Sequence, residues 1–186
     1  MMMKSQKDKV PIICAFIFIV GLITGIAVGS ILFPTIETRY VSLDFHGVFF
    51  SPDGGCKDAV ISWINKANST IHILIYSFTL DDVSNALIEA TDRGVDVKIV
   101  FDSSQISQYS EYDRLNDAGI DVKKDTNSAL MHNKVMIVDE KIILTGSFNW
   151  SQNAEERNNE NLIVIESEEL SSIFEEEFEK IWIVSE

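Results

Sequence analysis

"MHNKVMIVDEKIILTGSFNW" occupies Met131–Trp150 and sets a histidine, a lysine and an asparagine inside an otherwise apolar, β-branched stretch. The run reads as two short strands, Met131–Val138 and Lys141–Thr145, joined at "DEK". Side chains alternate along a strand, so His132 and Lys134 point the same way, with Met136 and Val138 continuing that face. An imidazole beside an ammonium in an apolar sheet is costly without a partner, and an anionic ligand suits both. Past the turn, Ser147 and Asn149 again stand two apart, and Gly146 lets backbone approach a ligand closely. Asp139 has the opposite parity and sits where the hairpin turns, which reads as a turn or supporting residue. Glu160, just ahead of "NLIVIES", is placed to hold the second ring nitrogen of His132. A lone buried histidine is more often a satisfied core group, and a lone lysine at a strand end usually reaches water. No single packing requirement calls for all of these residues together.

Outward from this stretch, strands and helices alternate. "DFHGVFFSP" reads as a strand, and "CKDAVISWINKAN" as a helix with Ala59, Val60, Trp63, Ile64 and Ala67 at helical spacing. "STIHILIYSFT" reads as a buried strand, and "DDVSNALIEATDRG" as a helix with an acidic cap and a stop at Gly94. "VDVKIVFD" and "IDVKKD" flank the helix "YSEYDRLNDAG". A terminal acidic helix presents Ile173, Phe174, Phe178, Ile181 and Trp182 for packing. The pattern predicts an α/β fold with a mixed, largely parallel sheet and helices on both faces.

The net charge is −14; Lys4, Lys7 and Lys9 against Asp8 leave +2 ahead of an apolar run, so the remainder carries −16. Much of that excess lies in "ESEELSSIFEEEFEK", a solvated helix face. Local charge at the site must therefore decide the partner. The only cysteines are Cys14 and Cys56, without C-x-x-C spacing, which argues against a disulfide framework and a structural zinc site.

"VPIICAFIFIVGLITGIAVGSILF", Val10–Phe33, carries no charge. At about 1.5 Å per residue such a helix crosses a hydrocarbon core of about 30 Å. The expected organisation is a short tail over 1–9, an anchor over 10–33, a linker over 34–43 and one domain over 44–186. The preceding lysines place the N-terminus in the cytosol and the domain on the extracytoplasmic side. The alternative is a cleaved signal with "AVG" before Ser30, which would release the domain into the periplasm or medium. Gly21, Gly25 and Gly29, four apart, offer a helix-pairing face.

"HNKVMIVD" followed by "GSFN" resembles the HxKxxxxD…GSxN signature of the phospholipase D superfamily, and "ERNNENLIVI" resembles that family's glutamate region. The resemblance spans roughly Leu43–Val184. One copy is present, since neither His46 nor His72 has a lysine two residues on. That points to the single-motif branch, which includes bacterial periplasmic nucleases and mitochondrial Zucchini-type enzymes. The resemblance implies a homodimer with one shared active site. It also implies phosphodiester cleavage through a phosphohistidine on His132, with the second subunit's histidine as acid and then base. Lys134, Ser147 and Asn149 would bind the phosphate and stabilise its charge, Glu160 would orient His132, and Asp139 completes the candidate catalytic set. No cofactor or metal is implied. Two substrate classes fit: nucleic acid, with Lys123, Lys124 and Arg157 as flanking cations, and phospholipid, given the anchor. A non-catalytic binding module is disfavoured because every signature residue is present.

Overall fold

The computed structural model describes residues 18–21, 25 and 41–186. Within the unit Met1–Tyr40, residues 18–21 and 25 are helical. The rest of the expected anchor, the tail and residues 34–40 of the linker lie outside the described residues. No helix among the described residues is long and apolar enough to cross a membrane.

Val41–Glu186 forms the second unit. Seven strands make one sheet: β1 (Asp44–Ser51), β2 (Thr70–Ile75), β3 (Asp96–Phe101), β4 (Asp121–Lys124), β5 (Lys134–Val138), β6 (Ile142–Gly146) and β7 (Glu160–Glu166). Their spatial order is β1-β7-β6-β5-β2-β3-β4. The helices are α1 (Cys56–Lys66), α2 (Asp81–Asp92), α3 (Tyr112–Asp117), α4 (Gln152–Glu156) and α5 (Glu168–Val184), with a 3-10 turn at Ser103–Gln105.

The expectation of a largely parallel sheet needs correcting. β2–β3 and β3–β4 pair in parallel, but the pairings β2–β5, β5–β6, β6–β7 and β7–β1 are antiparallel. Helical crossovers α2 and α3 return the chain in the same direction and make the parallel half. The connection over residues 125–133 brings β5 in antiparallel to β2, and the tight turn at Asp139 and Glu140, both at positive φ, continues the antiparallel half from β5 to β6.

Helices cover both faces. On one, Val60, Ile64, Val83 and Leu87 pack over Ile71, Ile73, Ile99 and Met136. On the other, Phe178 of α5 is buried with Leu74, Val100, Val135 and Ile137. Phe174, Ile181 and Trp182 join that second cluster, whereas Ile173 is 43% exposed, one position off the stripe. The acidic cap expected for α2 is also revised. Leu80 is the N-cap, and Asp81 and Asp82 lie in the first turn, where negative charge meets the positive end of the helix dipole. Gly94 ends that segment at φ 91°, a left-handed conformation that favours glycine.

Candidate active site

β5 begins at Lys134, three residues later than the pattern predicts, because Met131–Asn133 bond elsewhere. The Met131 N–H donates to the buried Asp102 carboxylate at 2.8 Å, and the Asn133 carbonyl accepts from Tyr76 N–H at 2.9 Å. His132 is thus held at the strand's entry rather than on its face, and its side chain is exposed. Its ring lies 4.4 Å from that of Tyr76, tilted by 57°.

Lys134 is buried at 7% exposure. Its ammonium donates to the His132 carbonyl at 2.8 Å and sits 4.7 Å from the Tyr76 ring centre. Burial lowers its pKa, while the negative charges of Glu160 and Asp102 act the other way. One cation, half-compensated and pinned beside the histidine, is a ready receptor for a single anionic group.

β6 ends in Gly146, where a Cβ would lie 2.2 Å from the Asn161 carbonyl oxygen, so only glycine fits that approach. The N–H groups of Ser147 and Phe148 both donate to that carbonyl, and the Ser147 hydroxyl accepts from Asn161 N–H at 3.1 Å. Asn149 carries a buried amide oxygen without a hydrogen-bond partner. That oxygen can only accept, so a phosphate would be met by the N–H side of the same amide. Glu160, at the start of β7, accepts from the Asn158 amide at 3.0 Å, and no hydrogen bond joins it to His132.

His132, Lys134, Ser147, Asn149 and Glu160 therefore come together, with Gly146 and Asn161, around one open cleft of about 550 Å³. Asp139 does not join them, because it sits at the opposite end of β5. Its carboxylate accepts from the N–H groups of Asn68, Ser69 and Thr70 and from the Ser69 hydroxyl. Burial would raise its pKa, but these bonds prevail and hold it at about 2. Asp139 thus clasps the loop entering β2 to the β5–β6 turn.

Two of the three expected flanking cations are engaged elsewhere. Lys123 donates to the carbonyls of Trp182 and Ser185, and the Lys124 ammonium lies over the Tyr112 ring. Arg157 is exposed. Pattern reading missed Tyr76 and Asn161, which enter the site only because β2 and β7 arrive beside β5 and β6. A larger groove of about 960 Å³ lies between α5 and the β5–β6 turn, lined by Glu168, Glu175, Glu176 and Glu179 among others. Its acidity would repel a phosphodiester, so the smaller cleft is the candidate site. Among the described residues, no group of three or more His, Cys, Asp or Glu side chains is arranged to hold a metal ion.

A histidine and a buried ammonium converging on one open cleft, at the strand ends of a mixed sheet, are the equipment of a phosphodiesterase site. Comparison with known proteins names the class. Residues 60–182 match the family described as cardiolipin synthase, PLD-like domain. A phospholipase D of Rickettsia prowazekii is 35% identical, with 92% of each chain covered. A mitochondrial cardiolipin hydrolase of Chlamydomonas reinhardtii is 37% identical over 66% of this chain, which spans 55% of that relative's length. Among solved structures, the phospholipase D family member Nuc of Salmonella typhimurium superposes with a TM-score of 0.74 at 36% identity, covering 78% of this chain and 97% of that one. The chain belongs to the phospholipase D superfamily, as a PLD-like phosphodiesterase.

Proposed function

We propose that the chain is an endonuclease that cleaves nucleic acid phosphodiesters without a metal, through a phosphohistidine on His132, as a homodimer. The observation that carries the nuclease reading is the position of His132 between two clefts. One is the polar cleft of Lys134 and Asn149; the other, of about 410 Å³, is lined by Asn127, Leu130 and Asn133 and, farther along, by the carboxyl residues Asp125 and Glu177. An opening on both sides of the nucleophile suits an internal bond of a polymer better than a terminal headgroup. The likeness to Nuc over nearly that protein's whole length supports the same reading.

In the first step a His132 ring nitrogen attacks phosphorus while the bond to the leaving oxygen breaks. The imidazolium of the second subunit's histidine gives that oxygen its proton. In the second step the same histidine, now neutral, takes a proton from water, whose oxygen displaces His132 from phosphorus. One neutral and one protonated imidazole are needed together, and two interacting histidines that share one site give up their protons in separate steps. Each subunit contributes Lys134 and Asn149 to the charge on the phosphoryl oxygens. Glu160 would turn from Asn158 to the His132 ring, and Ser147 would hold the Asn161 backbone at the cleft wall.

The second reading is a phospholipase anchored through residues 10–33, with the domain on the extracytoplasmic side or released there after cleavage. The full-length relative that bears the name phospholipase D favours it. The deciding experiment offers the detergent-solubilised full chain single-stranded DNA, RNA and anionic phospholipid vesicles, each with EDTA, beside a His132→Ala control. DNA or RNA cleavage that survives EDTA and vanishes in the control is expected. Lipid turnover alone would transfer the assignment to the second reading, and inertness toward all three would overturn both.

A further inference from the structure

The larger groove, between α5 and the β5–β6 turn, shares no residue with the candidate active site. From α5 it receives Glu168, Ser172, Glu175, Glu176, Glu179 and Ile183. Spaced by helical turns, these residues share one face of the helix. Glu175 and Glu179 stand one turn apart on it, and like charges so placed destabilise a helix unless a cation lies between them.

On β2, His72 lines the same groove at 8% exposure. Its Nδ1 is 2.7 Å from Glu175 Oε2. A carboxylate only accepts, so Nδ1 donates, and Nε2 of the neutral ring is left as an acceptor. That Nε2 is buried without a hydrogen-bond partner, and so is Glu175 Oε1. The pair therefore holds two open acceptors, where a folded protein almost always supplies a donor. No cation of the fold serves them. Lys141 and Lys180 border the groove but lie 3.8 Å from Glu166 and 3.3 Å from Glu177. Lys98, beside His72 on β3, pairs with Asp96 at 3.4 Å. Among the described residues, Glu168, Glu176 and Glu179 have no lysine or arginine within ion-pair distance.

The open acceptors set the chemistry of a ligand. They call for N–H or O–H donors, and the surrounding carboxylates favour a cation. Among the described residues no three His, Cys, Asp or Glu side chains are arranged to hold a metal ion, so the cation is one held by hydrogen bonds rather than coordination. Ile183, 74% exposed on the same helix face, offers apolar surface to methylene groups. We infer that this groove binds an aliphatic oligoamine, whose N–H groups donate to His72 Nε2 and Glu175 Oε1 while a further ammonium lies by Glu176 and Glu179. Glu175 and Glu179 are about 6 Å apart along the helix axis, a gap that a short methylene chain between two ammonium groups bridges. The site lies at the Asp139 end of β5, away from His132, and is independent of the reaction proposed there.

The test is isothermal titration of spermidine into the full chain, in neutral detergent at low ionic strength and without any phosphodiester. One-site binding is expected. Glu175→Gln and His72→Phe should each weaken it by about 10-fold or more, the scale of one hydrogen bond to a charged group. Glu89→Gln, on the exposed side of α2, should leave it unchanged. His72→Phe keeps a ring to stack on Phe178, whose centre lies 4.6 Å from that of His72. Circular-dichroism melts check that both variants fold. If either does not, Glu179→Gln on the helix surface takes its place, with an expected loss of about 3-fold. No binding, or equal affinity in the wild-type, Glu175→Gln and Glu89→Gln chains, would overturn the site and leave only diffuse attraction to an acidic surface. Displacement of spermidine by stoichiometric magnesium ion would overturn it in favour of a metal. None of these outcomes bears on catalysis at His132, because no ester is present.

Discussion

The two ends of β5 carry residues of one signature and do opposite work. At the entry, His132 is exposed, Lys134 keeps a buried ammonium without a carboxylate bonded to it, and Asn149 across the cleft leaves an amide oxygen unmatched. At the exit, Asp139 is saturated by three backbone N–H groups and a hydroxyl. One end is left polar and under-satisfied, which costs stability and allows binding; the other is satisfied within the fold and adds stability. Spacing in a motif therefore does not assign a role. The hydrogen-bond account at each residue does.

Substitutions at the entry should change rate with little effect on stability, and those at the exit the reverse. The largest effect is expected from Lys134→Met, which keeps volume and removes the charge. Turnover of bis(p-nitrophenyl) phosphate should fall by about 10²–10³-fold, the scale for losing a transition-state charge contact. Its melting temperature should stay within about 3 °C of wild type, because removing a buried, poorly compensated charge offsets the lost carbonyl contact. A large thermal shift with little change in rate would make Lys134 a structural residue and erase the contrast.

Asp139→Asn should give the complement. The carboxyl titrates at about 2 in the fold, below the value near about 4 of an unfolded aspartate, so its contribution is complete above about pH 4 and is lost as pH falls through about 2. After allowance for solvent screening of this half-buried group, denaturant unfolding at pH 7 should show a loss of about 1–2 kcal/mol, shrinking toward zero near pH 2. Turnover per folded molecule should match wild type. A clear fall in that rate would put Asp139 back among the groups that serve the reaction directly.

Tyr76 sharpens the comparison at the smallest scale, because its ring touches both His132 and Lys134. Tyr76→Phe retains the ring and should keep nearly full rate. Tyr76→Leu removes the cation–π contact and should lower kcat by about 5–10-fold, with a displaced pH–rate profile. Equal behaviour of the two variants would mean the ring only fills space.

Much of the site was legible before any fold was known. The H-x-K pair, Gly146-Ser147-x-Asn149 and Glu160 all reach one cleft, and nearly every strand and helix falls where period and punctuation place it. Other features stayed hidden for identifiable reasons. The antiparallel half of the sheet escaped because strand alternation encodes which face is buried, not which neighbour lies alongside. Tyr76 looked like one more buried strand residue in "IYSFT" until β2 paired with β5. Lys123 and Lys124 counted as cations for substrate until α5 and α3 took them up.

By itself, the sequence determined local structure and chemistry: periodicity set the elements, turn residues ended them, and the order of polar groups named a phosphate-directed set. Only tertiary structure decided which of those groups meet. His132 and Glu160 are far apart along the chain but line one cleft, while Asp139, seven residues from His132, lies at the other end of a strand. The physical reason is that strand order and register follow from the summed burial of side chains on two faces, a quantity no short stretch contains.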